Sequence, residues 1–95
     1  MEARGPSVAR AGRHVLNPSE WRDVEAALSL SGREFQILQC LFDDQKESVI
    51  AQGLGMSPHT VHTHLERLYR KLGVSGRGAA IVRVFGTFRD LAEQR

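Results

Sequence analysis

The chain is poor in the residues that staple or anchor a fold. Cys40 is its only cysteine, so no internal disulfide can form and no pair of thiols stands ready for a structural zinc. That suits a reducing, cytoplasmic setting. No run of about 18 apolar residues, the length a membrane helix needs, occurs anywhere. The arginines of the first stretch, Arg4, Arg10 and Arg13, are not followed by an apolar block of signal-peptide length, and neither secretion nor membrane insertion is expected. Charge of one sign is scarce too, since 13 Lys and Arg face 11 Asp and Glu for a net +2. Such a balance permits a polyanionic partner without demanding one. At 95 residues the ceiling is one compact core. There is no Ser, His and acid arrangement, no phosphate-cradling glycine loop, no metal-ligand spacing, and little room for an enclosed pocket. Catalysis is not expected, nor is a cofactor, a metal or a small-molecule substrate.

Residues 1–16 mix Gly5, Pro6, Gly12, small side chains and arginines without periodicity, the composition of a disordered arm. Asn17 can then cap a helix with Pro18 in its first position and Glu20 as capping-box partner, and Trp21, Val24 and Leu28 share one face. This predicts a leading helix over about 18–28 within a segment 17–29. Ser31 with Glu34 repeats the start signal, and Phe35, Leu38, Leu41 and Phe42 form an apolar stripe up to Asp43 and Asp44. A short helix follows from Lys46 to Leu54, with Val49, Ile50 and Leu54 at helical spacing and Gly53 and Gly55 at its end. Ser57 and Pro58 restart the chain as N-cap and first helical residue, and the strongly periodic run to Leu72 is closed by Gly73. A last helix is expected over 76–91. With no strand signal the fold class is all-α, its main module spanning residues 30–91.

The join through Leu54, Gly55, Met56 and Ser57 leaves only a few residues for the turn, the spacing of a helix-turn-helix. At about 100° per residue, Val61, Leu65, Leu68 and Leu72 cluster inward, while His59, Thr63, Glu66 and Arg70 point the opposite way, flanked by His62 and Arg67. Compact donors and acceptors near the helix start, and cations further along, suit a major groove lined by phosphates. Periodicity alone leaves a merely solvated helix face equally open. Glu66 either accepts from a cytosine amino group or balances Arg70 one turn on. His62 and His64 stand two apart and point to different sides, against a metal site. His64 belongs at the edge of the core, where packing and a hydrogen bond are expected. Cys40 should pack and not sense redox, because no cation lies near it in sequence.

Several motifs then carry a resemblance. Leu30-Ser31-Gly32-Arg33-Glu34 opens the first helix of the module, Ile50-Ala51 and Leu54-Gly55-Met56-Ser57 surround the turn, and Thr60-Val61 leads through His64 to Tyr69-Arg70-Lys71-Leu72-Gly73-Val74. Over about residues 30–90 the chain resembles the LuxR-type helix-turn-helix domains of bacterial transcription regulators. The resemblance implies a four-helix domain, here with one extra N-terminal helix, whose third helix reads the major groove and whose fourth often forms a homodimer contact. Carried over by position, His62, Thr63 and Glu66 would face bases. The chain departs from the pattern at His62 and Ser48, where lysines are common, and at Val49, where an acidic residue is usual. Residues 31–90 hold eight basic against six acidic side chains, a weak footprint for a DNA binder. Arg4, Arg10 and Arg13, or dimerisation, would strengthen it. The family usually places a sensing or phosphoacceptor domain before this module, and the chain is expected to be either an excised piece or a stand-alone regulator.

The resulting expectation is a sequence-specific transcription regulator bound to double-stranded DNA in the cytoplasm, associated with the nucleoid. Helix 57–72 would read bases through His59, His62, Thr63 and Glu66. Phosphates would be held by Lys46, Ser57, Thr60, Arg67, Arg70 and Lys71. Protonation of His59 and His62 should tighten binding as pH falls from about 8 to 6. In the last helix Ala79, Ala80, Ile81, Val82, Val84, Phe85, Phe88 and Leu91 cover more of the circumference than one core contact needs. A homodimer through Ile81, Val84, Phe85 and Phe88 is expected, unless the leading helix covers the same surface. The rival is a protein-interaction module that keeps the fold and pairs with another regulator or a polymerase subunit without binding DNA itself.

Overall fold

The computed structural model describes residues 12–94. A 3-10 turn over Gly12–Val15 leads into five helices: α1 (Pro18–Ala27), α2 (Gly32–Phe42), α3 (Glu47–Leu54), α4 (Pro58–Leu72) and α5 (Arg77–Glu93). No strand occurs among the described residues.

The helix starts are fixed by local chemistry. Asn17 Oδ1 accepts from the Glu20 N–H at 2.8 Å while Glu20 Oε1 accepts from the Asn17 N–H at 2.9 Å. Ser31 and Glu34 form the same reciprocal pair at the start of α2, and Ser57 caps α4. Each arrangement satisfies amide donors that the first turn of a helix leaves orphaned. At the other end, α3 and α4 stop on Gly55 and Gly73, both left-handed at φ 67° and 70°, a conformation glycine adopts without the Cβ penalty.

One buried cluster runs from Leu16 to Val84. Ile37, Leu38 and Leu41 of α2, Ile50 of α3 and Val61, Leu65 and Leu68 of α4 are among its fully buried members. Each such side chain contributes about 1.5–3 kcal/mol of transfer free energy. α4 packs against α2, α3 and α5, so its inner stripe is covered on three sides. Val49 is not part of this core. It lies about 100° round α3 from Ile50 and is 46% exposed.

The N-terminal arm expected over residues 1–16 is corrected at its end, while residues 1–11, with Arg4 and Arg10, lie outside the described residues. Residues 12–16 dock on α2. The Arg13 N–H and Nε donate to the two carboxylate oxygens of Asp43 at 2.8 and 2.6 Å, Trp21 Nε1 donates to the Arg13 carbonyl at 2.7 Å, and Leu16 is buried. Gly12 approaches so closely that a Cβ there would clash with the Phe42 carbonyl oxygen. Nor is α1 a linker, because Trp21 and Val24 enter the same core as the rest. The Trp21 ring meets Phe35 and Phe42 edge-on, with centroids 5.7 and 4.8 Å apart, geometries that suit the ring quadrupoles. A cleft of about 260 Å3 lies beside them between the 3-10 turn, α1 and α2, and no residue of α4 lines it.

α1 also packs on α5, and this corrects the expected dimer face. Val84 and Ala80 are fully buried within the monomer, while Ile81 and Phe88 are half-buried. What remains outside is Val82, 70% exposed, and Phe85, 38% exposed, whose ring leans on Phe42 at 5.6 Å.

Candidate nucleic-acid interface

α3, the turn at Gly55, Met56 and Ser57, and α4 form a tight helix pair. Met56 and Leu54 pack partly against the core, which holds the turn and fixes the roll of α4. Val61, Leu65, Leu68 and Leu72 are then buried, and His59, His62, Glu66, Arg67 and Arg70 are exposed. Thr63 and His64 are half-buried. The apolar periodicity of the run from Val61 to Leu72 therefore decides which side chains face out.

Along the outer face the polar groups differ sharply in how far they are committed. Arg67, Arg70 and Lys46 are exposed and make no salt bridge or side-chain hydrogen bond among the described residues. Ser57 Oγ accepts from the Thr60 N–H at 3.1 Å and lies 2.9 Å from Thr60 Oγ1, to which it can donate. In that arrangement the Thr60 hydroxyl keeps its own hydrogen for an outside acceptor. Thr63 Oγ1 donates back to the His59 carbonyl at 3.1 Å, which leaves its oxygen as an acceptor. Glu66 faces His62 at 3.7 Å and forms no ion pair with Arg70 among the described residues. His64 has no hydrogen-bond partner there.

Lys71 is a departure from expectation. Its Nζ donates to Glu34 Oε1 at 2.7 Å and to the Ser29 carbonyl at 2.8 Å, so it ties the C-terminal end of α4 to the start of α2 and is not left for a phosphate. Burial of Glu34 opposes its ionisation, but the hydrogen bond and charge of Lys71, with the Ser31 N–H and hydroxyl, outweigh it and hold the carboxyl below its ordinary value. Arg13, one of the arginines that would have strengthened the weak basic footprint, is spent on Asp43. Its guanidinium also lies 3.9 Å from Cys40 Sγ. Burial nevertheless prevails over that cation and pushes the thiol pKa up, which keeps Cys40 a packed and unreactive side chain.

Sequence reasoning missed Glu47. From the first turn of α3 its Oε1 lies 3.4 Å from His62 Nδ1. The only available signal was the turn itself, which folds the start of α3 back alongside α4. Burial raises the Tyr69 pKa; the charge of Arg77 lowers it and that of Glu47 adds to the rise. Arg77 lies 3.6 Å from Asp44. No group of three or more His, Cys, Asp and Glu side chains among the described residues is arranged to hold a metal ion. No helix among them is long and apolar enough to cross a membrane.

Comparison with known proteins bears on the same segment. The family described as "Bacterial regulatory proteins, luxR family" matches residues 28–84. The "Probable transcriptional regulatory protein NarL" from two strains of Mycobacterium tuberculosis is 40% identical, over 74% of this chain and 37% of the relative. The "Putative HTH-type transcriptional regulator YhjB" of Escherichia coli is 38% identical, over 66% of this chain and 34% of the relative. The chain thus spans about a third of the length of these curated relatives. No solved structure matches it. The five helices, the capped turn and the matched segment agree, and the chain belongs to the luxR family of bacterial regulatory proteins.

Proposed function

We propose that the chain is a DNA-binding transcription regulator in which α4 enters the major groove of double-stranded DNA. The observation that carries this reading is the pair Arg67 and Arg70, exposed and without an ion-pair partner among the described residues. Arg13 and Lys71 are both satisfied within the fold. Free cations beside compact polar side chains are what a phosphate-lined groove requires.

On this reading His59, His62, Thr63 and Glu66 face base edges. Lys46, Thr60, Arg67 and Arg70 hold phosphates, together with the backbone N–H of Ser57 at the positive end of the α4 dipole. Lys71 is left out, because releasing it would break its bond to Glu34. The names of the relatives, one a transcriptional regulatory protein and one an HTH-type regulator, support the assignment. DNA as partner places the protein in the cytoplasm with the nucleoid. A second copy would pair through the exposed part of α5, with Val82 and Phe85 at its centre, Ile81 and Phe88 at its edge, and Val84 excluded. Such a two-fold dimer reads inverted half-sites related by about ten base pairs or a multiple.

The test is fluorescence anisotropy of the full chain on a generic duplex over a salt series. The expected result is a linear fall of log affinity with log salt, with the slope reduced by about one unit by either Arg67→Ala or Arg70→Ala. Absence of binding even at low salt would overturn the proposal in favour of the interaction module, whose surface would be Val82 and Phe85.

A further inference from the structure

The cleft between the 3-10 turn, α1 and α2 has two kinds of wall. Its floor is apolar: Leu16 and Trp21 are buried, Phe35 is half-buried beside them, and Pro18 closes one edge. Its rim is polar, carrying Arg13 and His14 from the turn, Arg22 and Glu25 from α1 and Gln39 from α2. Arg13 is already engaged, since its Nε donates to Asp43. Arg22 and Glu25 are not. Arg22 is exposed and Glu25 half-buried, and neither side chain has a hydrogen bond or ion pair among the described residues. They stand three apart on α1 and so share one side of the helix, yet they do not pair with each other. The side chain of Gln39, also half-buried, is likewise without a partner among the described residues.

We propose that this cleft is a binding site for a free apolar α-amino acid, its side chain on the Trp21 and Phe35 floor, its carboxylate on Arg22 and its ammonium on Glu25. An apolar floor with a few uncommitted polar groups around it is the ordinary make-up of a small-molecule site. Charge decides the class of ligand. A simple anion would be repelled by Glu25 and a simple cation by Arg22, whereas a ligand that carries both charges satisfies both side chains. The Gln39 amide, which can donate and accept, supplies a further hydrogen bond. Size points the same way. At about 260 Å3 the cleft exceeds the roughly 150 Å3 that accepts benzene and falls short of the roughly 300–1,000 Å3 of drug-sized pockets, so one ring or branched chain with a short polar head is accommodated. No described residue of α3, α4 or α5 lines the cleft. The ligand therefore leaves the helix-turn-helix uncovered, and the inference stands apart from the DNA-binding reading. Bound there, it fastens the 3-10 turn and α1 to α2.

Trp21 is the only tryptophan of the chain, so its fluorescence reports on the cleft directly. The experiment titrates the full chain with L-phenylalanine and L-leucine, and with phenylacetate and phenethylamine, each of which keeps one of the two charges. The expected result is a saturable change of emission with at least one of the two amino acids, accompanied by a rise of the thermal midpoint over the same concentrations. Phenylacetate and phenethylamine should bind about tenfold more weakly than L-phenylalanine, the loss expected when one charged hydrogen bond is removed. Arg22→Gln and Glu25→Gln should each weaken amino-acid binding by a similar factor. Both variants should keep the thermal midpoint of the unliganded protein, because neither side chain is part of the core. No saturable response to either amino acid would overturn the inference. So would phenylacetate or phenethylamine binding as tightly as L-phenylalanine, or an unaltered response in both variants. Emission that shifts with protein concentration and not with ligand would give the cleft to a second copy of the chain instead.

Discussion

Arg70 and Lys71 are neighbours in sequence and nearly identical in charge, yet they belong to different regions of the molecule. Lys71 sits in the seam between α2 and α4, held by Glu34 and the Ser29 carbonyl. Arg70, about 100° round the helix, stands on an exposed face with no ion-pair partner among the described residues. The N-terminal turn repeats the first condition, with Arg13 bonded twice to Asp43. Cations along the seam fasten helices together, and cations on the outer face are kept for something else. A basic residue in this sequence therefore cannot be assigned a role from its charge; what decides is whether a carboxylate awaits it across the fold.

The seam should be costly to break and the outer face cheap. The largest effect is expected for Trp21→Ala, which empties a buried site contacted by two aromatic rings and removes the donor to Arg13. A loss of about 3–5 kcal/mol in urea unfolding is predicted, and a loss below about 1 kcal/mol would show that α1 is only loosely attached.

Lys71→Met should cost less, about 1–2 kcal/mol, because the pair is partly wet and its packing stem is retained. Its signature is in the pH dependence. The Glu34 carboxyl lies below its ordinary 4.5 in the folded protein, so the stability it contributes is complete above that value and is lost as pH falls through the folded one. Without Lys71 the largest lowering influence is gone and burial remains. Acid unfolding monitored by circular dichroism should then begin at higher pH in the variant, and an unchanged acid limb would separate Lys71 from Glu34.

Ser57→Ala removes the side-chain cap of α4 and should cost about 1 kcal/mol, readable as a small shift of the thermal midpoint. The smallest effect is predicted for Arg70→Ala, within about 0.5 kcal/mol of the unaltered protein. Its consequence should appear only in the salt dependence on duplex DNA. A large destabilisation by Arg70→Ala would erase the distinction between the two regions.

How much of this was legible in the sequence follows the same division. The caps at Asn17, Ser31 and Ser57 and the stops at Gly55 and Gly73 depend on residues three or four positions apart, and the structure has them where local chemistry predicts. The outward and inward sides of α4 follow from its periodicity alone. Arg13 and Asp43 are 30 residues apart and Lys71 and Glu34 are 37 apart. Such partners are chosen by tertiary geometry, which a charge pattern does not encode. The 3-10 turn escaped for the same reason: four residues have no periodicity to detect, and their order comes from Asp43 and Trp21. Glu47 beside His62 was hidden by the turn that brings them together.

The two left-handed glycines have a mechanical meaning as well. Gly55 ends α3 just before the Ser57 cap and Gly73 ends α4, so neither boundary can slide and α4 is a ruler of fixed length. Its 15 residues measure about 22 Å at 1.5 Å per residue, with every marking held at a set angle. Inserting one residue after Val61 would rotate all later markings by about 100°. Leu65 and Leu68 would then be carried out of the interior, and the message would be garbled along with the fold that displays it.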